Sequence, residues 1–189
     1  MPHADALAQT AAPLTAVLFG LSGCLVDFGA RTRLQTTTRP GPEQVRTTPG
    51  ALDTLRHLQQ LGIPCAWLEQ LPCASSSHLA TALPDWIKPT PAAPAPWPAP
   101  DACWQALMTL KVSRLEGCVL VSGEPQLLQS GLNAGLWTIG LASCGSLCGL
   151  TPSEWQALSQ QERELKRGKA TLQLFGLGVH SVIDHLGDL

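Results

Sequence analysis

The chain has 189 residues, 44% of them hydrophobic and 14% charged, with a formal net charge of -2. That length can bury the core of one compact domain, and a near-neutral balance excludes the basic footprint that nucleic-acid binding requires. The longest early apolar stretch, Leu14 to Val26, is broken by glycines, lacks a basic leader and is too short for a bilayer, so it predicts core rather than a membrane span, in a cytoplasmic protein.

Residues 1–13 precede the first element and read as a tail. Ala16-Val17-Leu18-Phe19, between Pro13 and the glycines Gly20 and Gly23, predicts a short strand buried on both faces. The carboxyl end of such a strand is where an open α/β sheet places its ligand crevice. Thr48-Pro49 then supplies a cap and first helical residue, Leu52, Leu55, Leu58 and Leu61 recur on one side, and Gly62 ends the helix before a strand from Ile63 to Leu68. A second helix is expected from Ser76 to Leu83, with a short strand around Trp86-Ile87. Pro89 to Pro100 carries six prolines, which exclude helix and predict an extended connection.

Asp101 is expected to cap a helix whose Trp104, Leu107 and Met108 face the sheet, followed by a strand from Cys118 to Val121. After Glu124-Pro125 a short helix runs to Ala134 and stops at Gly135, before a strand from Leu136 to Leu141. Thr151-Pro152-Ser153-Glu154 is a capping box that opens a polar helical segment to Phe175, divided at Ser159, and Val179 to Asp184 is the last strand. Strand and helix alternate throughout, the pattern of a Rossmann-like, doubly wound parallel α/β sheet.

Residues 16–29, AVLFGLSGCLVDFG, have the layout of a strand entering the nucleophile loop of a haloacid-dehalogenase-type (HAD) hydrolase, with Gly20 where the attacking aspartate should stand. From Gly131 onward the chain closely resembles the phosphonoacetaldehyde hydrolase (phosphonatase) family of that superfamily. The matching pieces are the turn at Gly131 to Gly140, GLTPSEW from Gly149, and V-I-D at Val182 to Asp184. Pro49-Gly50, Val26 to Gly29 and PAPW at Pro94 to Trp97 fall in the same order. The resemblance implies a single HAD core over 1–189 with no cap domain. Residues 30–47 form a short loop where the family inserts the helical cap that covers substrate and contributes a Schiff-base lysine. The lysines here, Lys88, Lys111, Lys166 and Lys169, all lie outside that loop.

The resemblance also implies a degraded site. Gly20 replaces the nucleophile, Ser22 stands where the family tolerates alanine, Cys24 replaces a loop threonine, and Ala93 replaces a basic residue that balances phosphate charge. The phosphoryl-binding hydroxyl should fall near Trp67-Leu68-Glu69, and the metal-holding acidic pair is replaced by Ser122-Gly123, followed by Glu124. Mg²⁺ is the family's ion, and its ligands are missing, so no metal or other cofactor is expected. What is left is a remnant cleft of Leu21, Ser22, Gly23, Cys24, Trp67, Leu68, Glu69 and Glu124, whose Leu21–Cys24 amides resemble an anion-binding turn. Asp27 and Asp184 are read as structural.

The leading reading is a catalytically defective protein retained for binding a protein, a second copy of itself or a small ligand. Trp67, Trp86 and Trp97 would then be interface anchors, and the cleft face would be covered by another subunit, the 30–47 loop or a partner. The alternatives are a hydrolase of low or altered activity and a small-molecule binding module. An enzyme could use Cys24 or Ser22 with a base among His57, His78, His180 and His185. The Pro-rich segment is either a stiff connection or a ligand for an aromatic groove. The 7 cysteines, odd in number and without a C-x-x-C pair, argue against a disulfide scaffold; Cys144 and Cys148 fit loop packing better than metal.

Overall fold

A computed structural model of the chain describes residues 13–34, 40–91 and 93–189; the expected tail at 1–12 and part of the 30–47 loop lie outside the described residues. Six strands, β1 (Ala16–Gly20), β2 (Cys65–Leu68), β3 (Lys88–Pro89), β4 (Cys118–Ser122), β5 (Trp137–Leu141) and β6 (Ser181–Ile183), form one parallel sheet. Its order is β3-β2-β1-β4-β5-β6. The chain reverses direction across the sheet between β1 and β4, which makes their carboxyl ends the switch point where such folds bind ligands.

Side chains alternate between the two faces, as the pleat requires. Val17, Phe19, Trp67 and Val121 pack with Leu55 and Leu58 of α1 (Ala51–Gln60), whereas Leu18, Leu68 and Leu120 pack with Cys103, Ala106 and Leu107. The further helices are α2 (Cys73–Ala80), α3 (Asp101–Thr109), α4 (Pro125–Asn133), α5 (Pro152–Ala157) and α6 (Gln160–Gly176). The division at Ser159 is present. Thr151 and Ser159 each accept from the backbone N–H three residues on, while Glu154 and Glu162 accept from the N-cap amides in return, giving two consecutive capping boxes. No helix among the described residues is long and apolar enough to cross a membrane.

Several elements differ from expectation. The first long helix starts at Ala51, not Pro49, because Gly50 takes a left-handed conformation (φ 78°) and packs its backbone on Gly187. The second begins at Cys73 and ends at Ala80, and the third strand is Lys88–Pro89 instead of Trp86-Ile87, since Ile87 turns inward ahead of a two-residue edge strand. On α3 the sheet-facing stripe is Ala102, Cys103, Ala106 and Leu107; Trp104 and Met108 are exposed. Asp101 is the first helical residue, and the N-cap is Pro100.

Candidate functional site

The loop after β1 is held by its own polar groups. Leu21 N–H donates to Leu68 O (3.1 Å), Gly23 N–H to Val26 O and Asp27 O (2.9 and 3.0 Å), and Ser22 Oγ to Asp27 Oδ2 (2.8 Å). Asp27 also accepts from the amides of Arg31 and Thr32, so this buried carboxylate clamps the loop to the short 3-10 turn Arg31–Leu34. At Gly20, the place expected for the nucleophile, a Cβ would lie 2.7 Å from Ser122 Oγ and 3.3 Å from Leu127 Cδ2. Ser122 Oγ is itself engaged, accepting from Glu124 N–H at 3.0 Å. Nearby, a Cβ on Gly23 would come within 2.8 Å of Gly145 Cα, and one on Gly123 would run into the Gly23 and Cys144 carbonyls. The loops following β1, β4 and β5 therefore touch backbone to backbone.

Charge closes the remaining space. Glu69, its side chain 1% exposed, accepts from Ser22 N–H at Oε2 (3.0 Å) and from Gln70 and Leu71 N–H at Oε1 (2.7 and 3.3 Å), and pairs with Arg33 Nη2 through Oε1. Arg33 Nε lies 3.6 Å from Glu124 Oε2, and its guanidinium sits 5.0 Å over the Trp97 ring. Glu124 accepts in turn from the amide and hydroxyl of Ser146 (2.9 and 3.1 Å). Burial raises the Glu69 carboxyl above the ordinary carboxylate range, opposed by Arg33 and the three amides. Burial raises Glu124 likewise, with Arg33 and Ser146 opposing and Glu69 adding to the rise.

These residues do not suit Mg²⁺. A hard divalent cation needs several free oxygen ligands, whereas both carboxylates here are committed to a guanidinium and to N–H or O–H donors. Among the described residues no group of three His, Cys, Asp or Glu side chains could hold a metal, Cys144 and Cys148 included.

Of the expected remnant cleft, Ser22, Glu69 and Glu124 meet around Arg33, and the other positions differ from expectation in three ways. Of the Leu21–Cys24 amides expected to form an anion-binding turn, those of Leu21, Ser22 and Gly23 are engaged by the chain itself. Trp67 and Leu68 are 7% and 1% exposed, on opposite faces of the sheet, and Trp97 is 6% exposed: Trp67 and Trp97 are buried packing residues, not surface anchors, and Trp86 is half-buried. Cys24 is fully buried with its thiol donating to Val121 O (3.3 Å), and burial, followed by Cys144, pushes its pKa well up, which is inert thiol chemistry. Two of the candidate bases are engaged elsewhere. His180 accepts from Thr138 N–H and stacks on Trp137 (4.3 Å), and His185 accepts from Gly187 N–H. Ala93 is half-buried against the α3 side of the core. Arg33 and Ser146, central to the cluster, were not anticipated: their partners are 36 and 22 positions away, beyond any local spacing signal.

No family profile matches the chain. Phosphonoacetaldehyde hydrolases of Salmonella paratyphi A and Salmonella typhimurium are each 32% identical to it over 149 residues, 74% of this chain and 55% of theirs, so it spans about half the length of these curated relatives. A crystal structure 62% identical in sequence superimposes with a TM-score of 0.90, covering 93% of this chain and 90% of its own. The fold is shared with a phosphonoacetaldehyde hydrolase-like protein from Oleispira antarctica (20% identity, TM-score 0.83, 95% and 91% covered). It is also shared with a HAD family hydrolase from Deinococcus radiodurans (18%, 0.58, 94% and 93%). With its six-stranded parallel core and this sequence kinship, the chain is a phosphonatase-like protein of the HAD superfamily.

Proposed function

We propose that this protein is a capless, catalytically defective phosphonatase-like HAD protein, kept for binding rather than turnover and working without Mg²⁺ in the cytoplasm. The observation that carries the reading is the filled space at Gly20. An attacking carboxylate is absent there, and Ser122 Oγ occupies the volume that its Cβ would need. The Arg33–Glu69–Glu124 cluster supports it further, because it spends on itself the charges that a phosphoryl group and its ion would require. Binding then falls to surfaces outside this cleft, with a protein or a second copy of the chain as the partner.

The activity for which the relatives are named favours a second reading, a HAD hydrolase acting slowly on a phosphonate or phosphate ester. Purified protein assayed with phosphonoacetaldehyde and with phosphate monoesters in millimolar Mg²⁺ separates the two. We expect no turnover above background and no rise in melting temperature with Mg²⁺. Magnesium-dependent turnover would establish the hydrolase, and turnover lost in Cys24→Ala would establish a thiol route.

A further inference from the structure

The buried Glu69 carboxylate has the hydrogen-bonding environment of a bound anion. Three backbone N–H groups from two separate loops converge on it, Ser22 from the β1 loop and Gln70 and Leu71 from the β2 loop, and a guanidinium closes the other side. Such convergent amides recognise oxyanions by shape and partial charge, without needing a metal. A carboxylate shares the planar pair of acceptor oxygens that one edge of a phosphate or sulfate presents. Residue 69 also lines two hollows, of about 400 and 620 Å³, while its side chain itself is closed off from solvent.

We infer that this is an oxyanion seat whose occupant is built into the chain: Glu69 is its ligand in cis, Arg33 the counter-ion, and a phosphate-sized anion is excluded for as long as Glu69 stays in place. The charge count agrees. Arg33 faces Glu69 and Glu124 together, so with both carboxylates ionised the closed cluster carries one excess negative charge and repels a free anion. Truncating Glu69 leaves Arg33 balanced by Glu124 and frees the three amides to receive an external anion.

The inference deepens the reading of a defective cleft, and the two fail separately: turnover by the wild-type protein sinks that reading, whereas the seat is judged by anion binding to variants that need no activity. Inorganic phosphate is titrated against the wild-type protein, Glu69→Ala and Glu69→Gln at constant ionic strength set with sodium chloride, with melting temperature and the Ser22 amide resonance followed. In Glu69→Ala, phosphate should give a saturable rise of a few degrees, on the order expected for millimolar binding. The Ser22 amide should shift in step. Wild type and Glu69→Gln, whose amide oxygen still fills the seat, should show neither change. Phosphate binding to the wild type at the same concentrations, or a folded Glu69→Ala that ignores phosphate, overturns the inference. If the alanine variant folds only when phosphate is present, that rescue is the same positive result; if neither it nor Glu69→Ser folds with or without phosphate, Glu69 is a packing element and the seat is refuted.

Discussion

The carboxyl edge of the sheet has two halves of different character. Over β1, β4 and β5 the three loops interlock, with Gly23, Gly123 and Gly145 in backbone contact and Ser122 Oγ lodged against Gly20. Over β2 and β3, by contrast, the connections stand apart and leave a hollow of about 400 Å³ against the Pro-rich segment and one of about 620 Å³ among residues 67–91. Each half holds positions where the sequence is expected to depart from the family's pattern, Gly20 and Ser122-Gly123 in the first and Ala93 in the second. Where flanking backbone is glycine it can close over a lost side chain and restore packing density; where it is proline-rich and stiff, the space stays. What flanks a small residue thus decides whether the space beside it is closed or left open.

The largest expected effect tests the closed half directly. Gly20→Asp forces a Cβ and a carboxylate into filled, fully buried space, so it should destabilise by about 3–5 kcal/mol and bring no activity. Urea denaturation measures it, and a variant as stable as the parent would show that the half is looser than described. Arg33→Ala comes next, since it leaves two buried carboxylates uncompensated. With its side chain 21% exposed, solvent screening limits the loss to about 2 kcal/mol. In the scaffold away from both halves, Ser159→Ala removes one cap of α6 and should cost about 1 kcal/mol in the same denaturation series.

The smallest effect is a slope. Glu69 and Glu124 hold their protons more tightly folded than unfolded, because burial raises their pKa above the ordinary 4.5. In the window from 4.5 up to those raised values the folded state binds more protons, so their contribution to stability falls as pH rises. Melting temperatures of the wild type and of a Glu69→Gln, Glu124→Gln double variant, followed from pH 4.5 to neutrality, should show the flatter pH dependence in the variant. Equal slopes would mean that the pair does not titrate in that window.

Much of the fold was legible because its signals are local. The Ala16–Phe19 run, the stop at Gly135 and both capping boxes depend on neighbours within a few positions. Errors arose where a distant contact overrode local preference, as when Gly187 met Gly50 and delayed α1, or where small residues carried the buried stripe, as Ala102, Cys103 and Ala106 do on α3. At the candidate site single positions could be read one by one, Gly20 and Ser122 among them. Their long-range partners could not. Arg33 reaches Glu69 and Glu124 through the tertiary fold, and no spacing announces that a glutamate will sit where an anion would.

The three glycines at the shut edge have a mechanical consequence. The Gly145 amide donates to Phe28 O and the Ser146 amide to Glu124 Oε1, so the loop after β5 is tied by hydrogen bonds to those after β1 and β4, while the Gly23 amide braces its own loop on Val26 and Asp27. No one of them can swing outward without dragging its neighbours past a barrier of backbone atoms. Hydrogen exchange at these amides should therefore require a shared opening of the whole rim, at rates approaching those of the sheet beneath, in place of the independent fraying usual for loops at a cleft mouth.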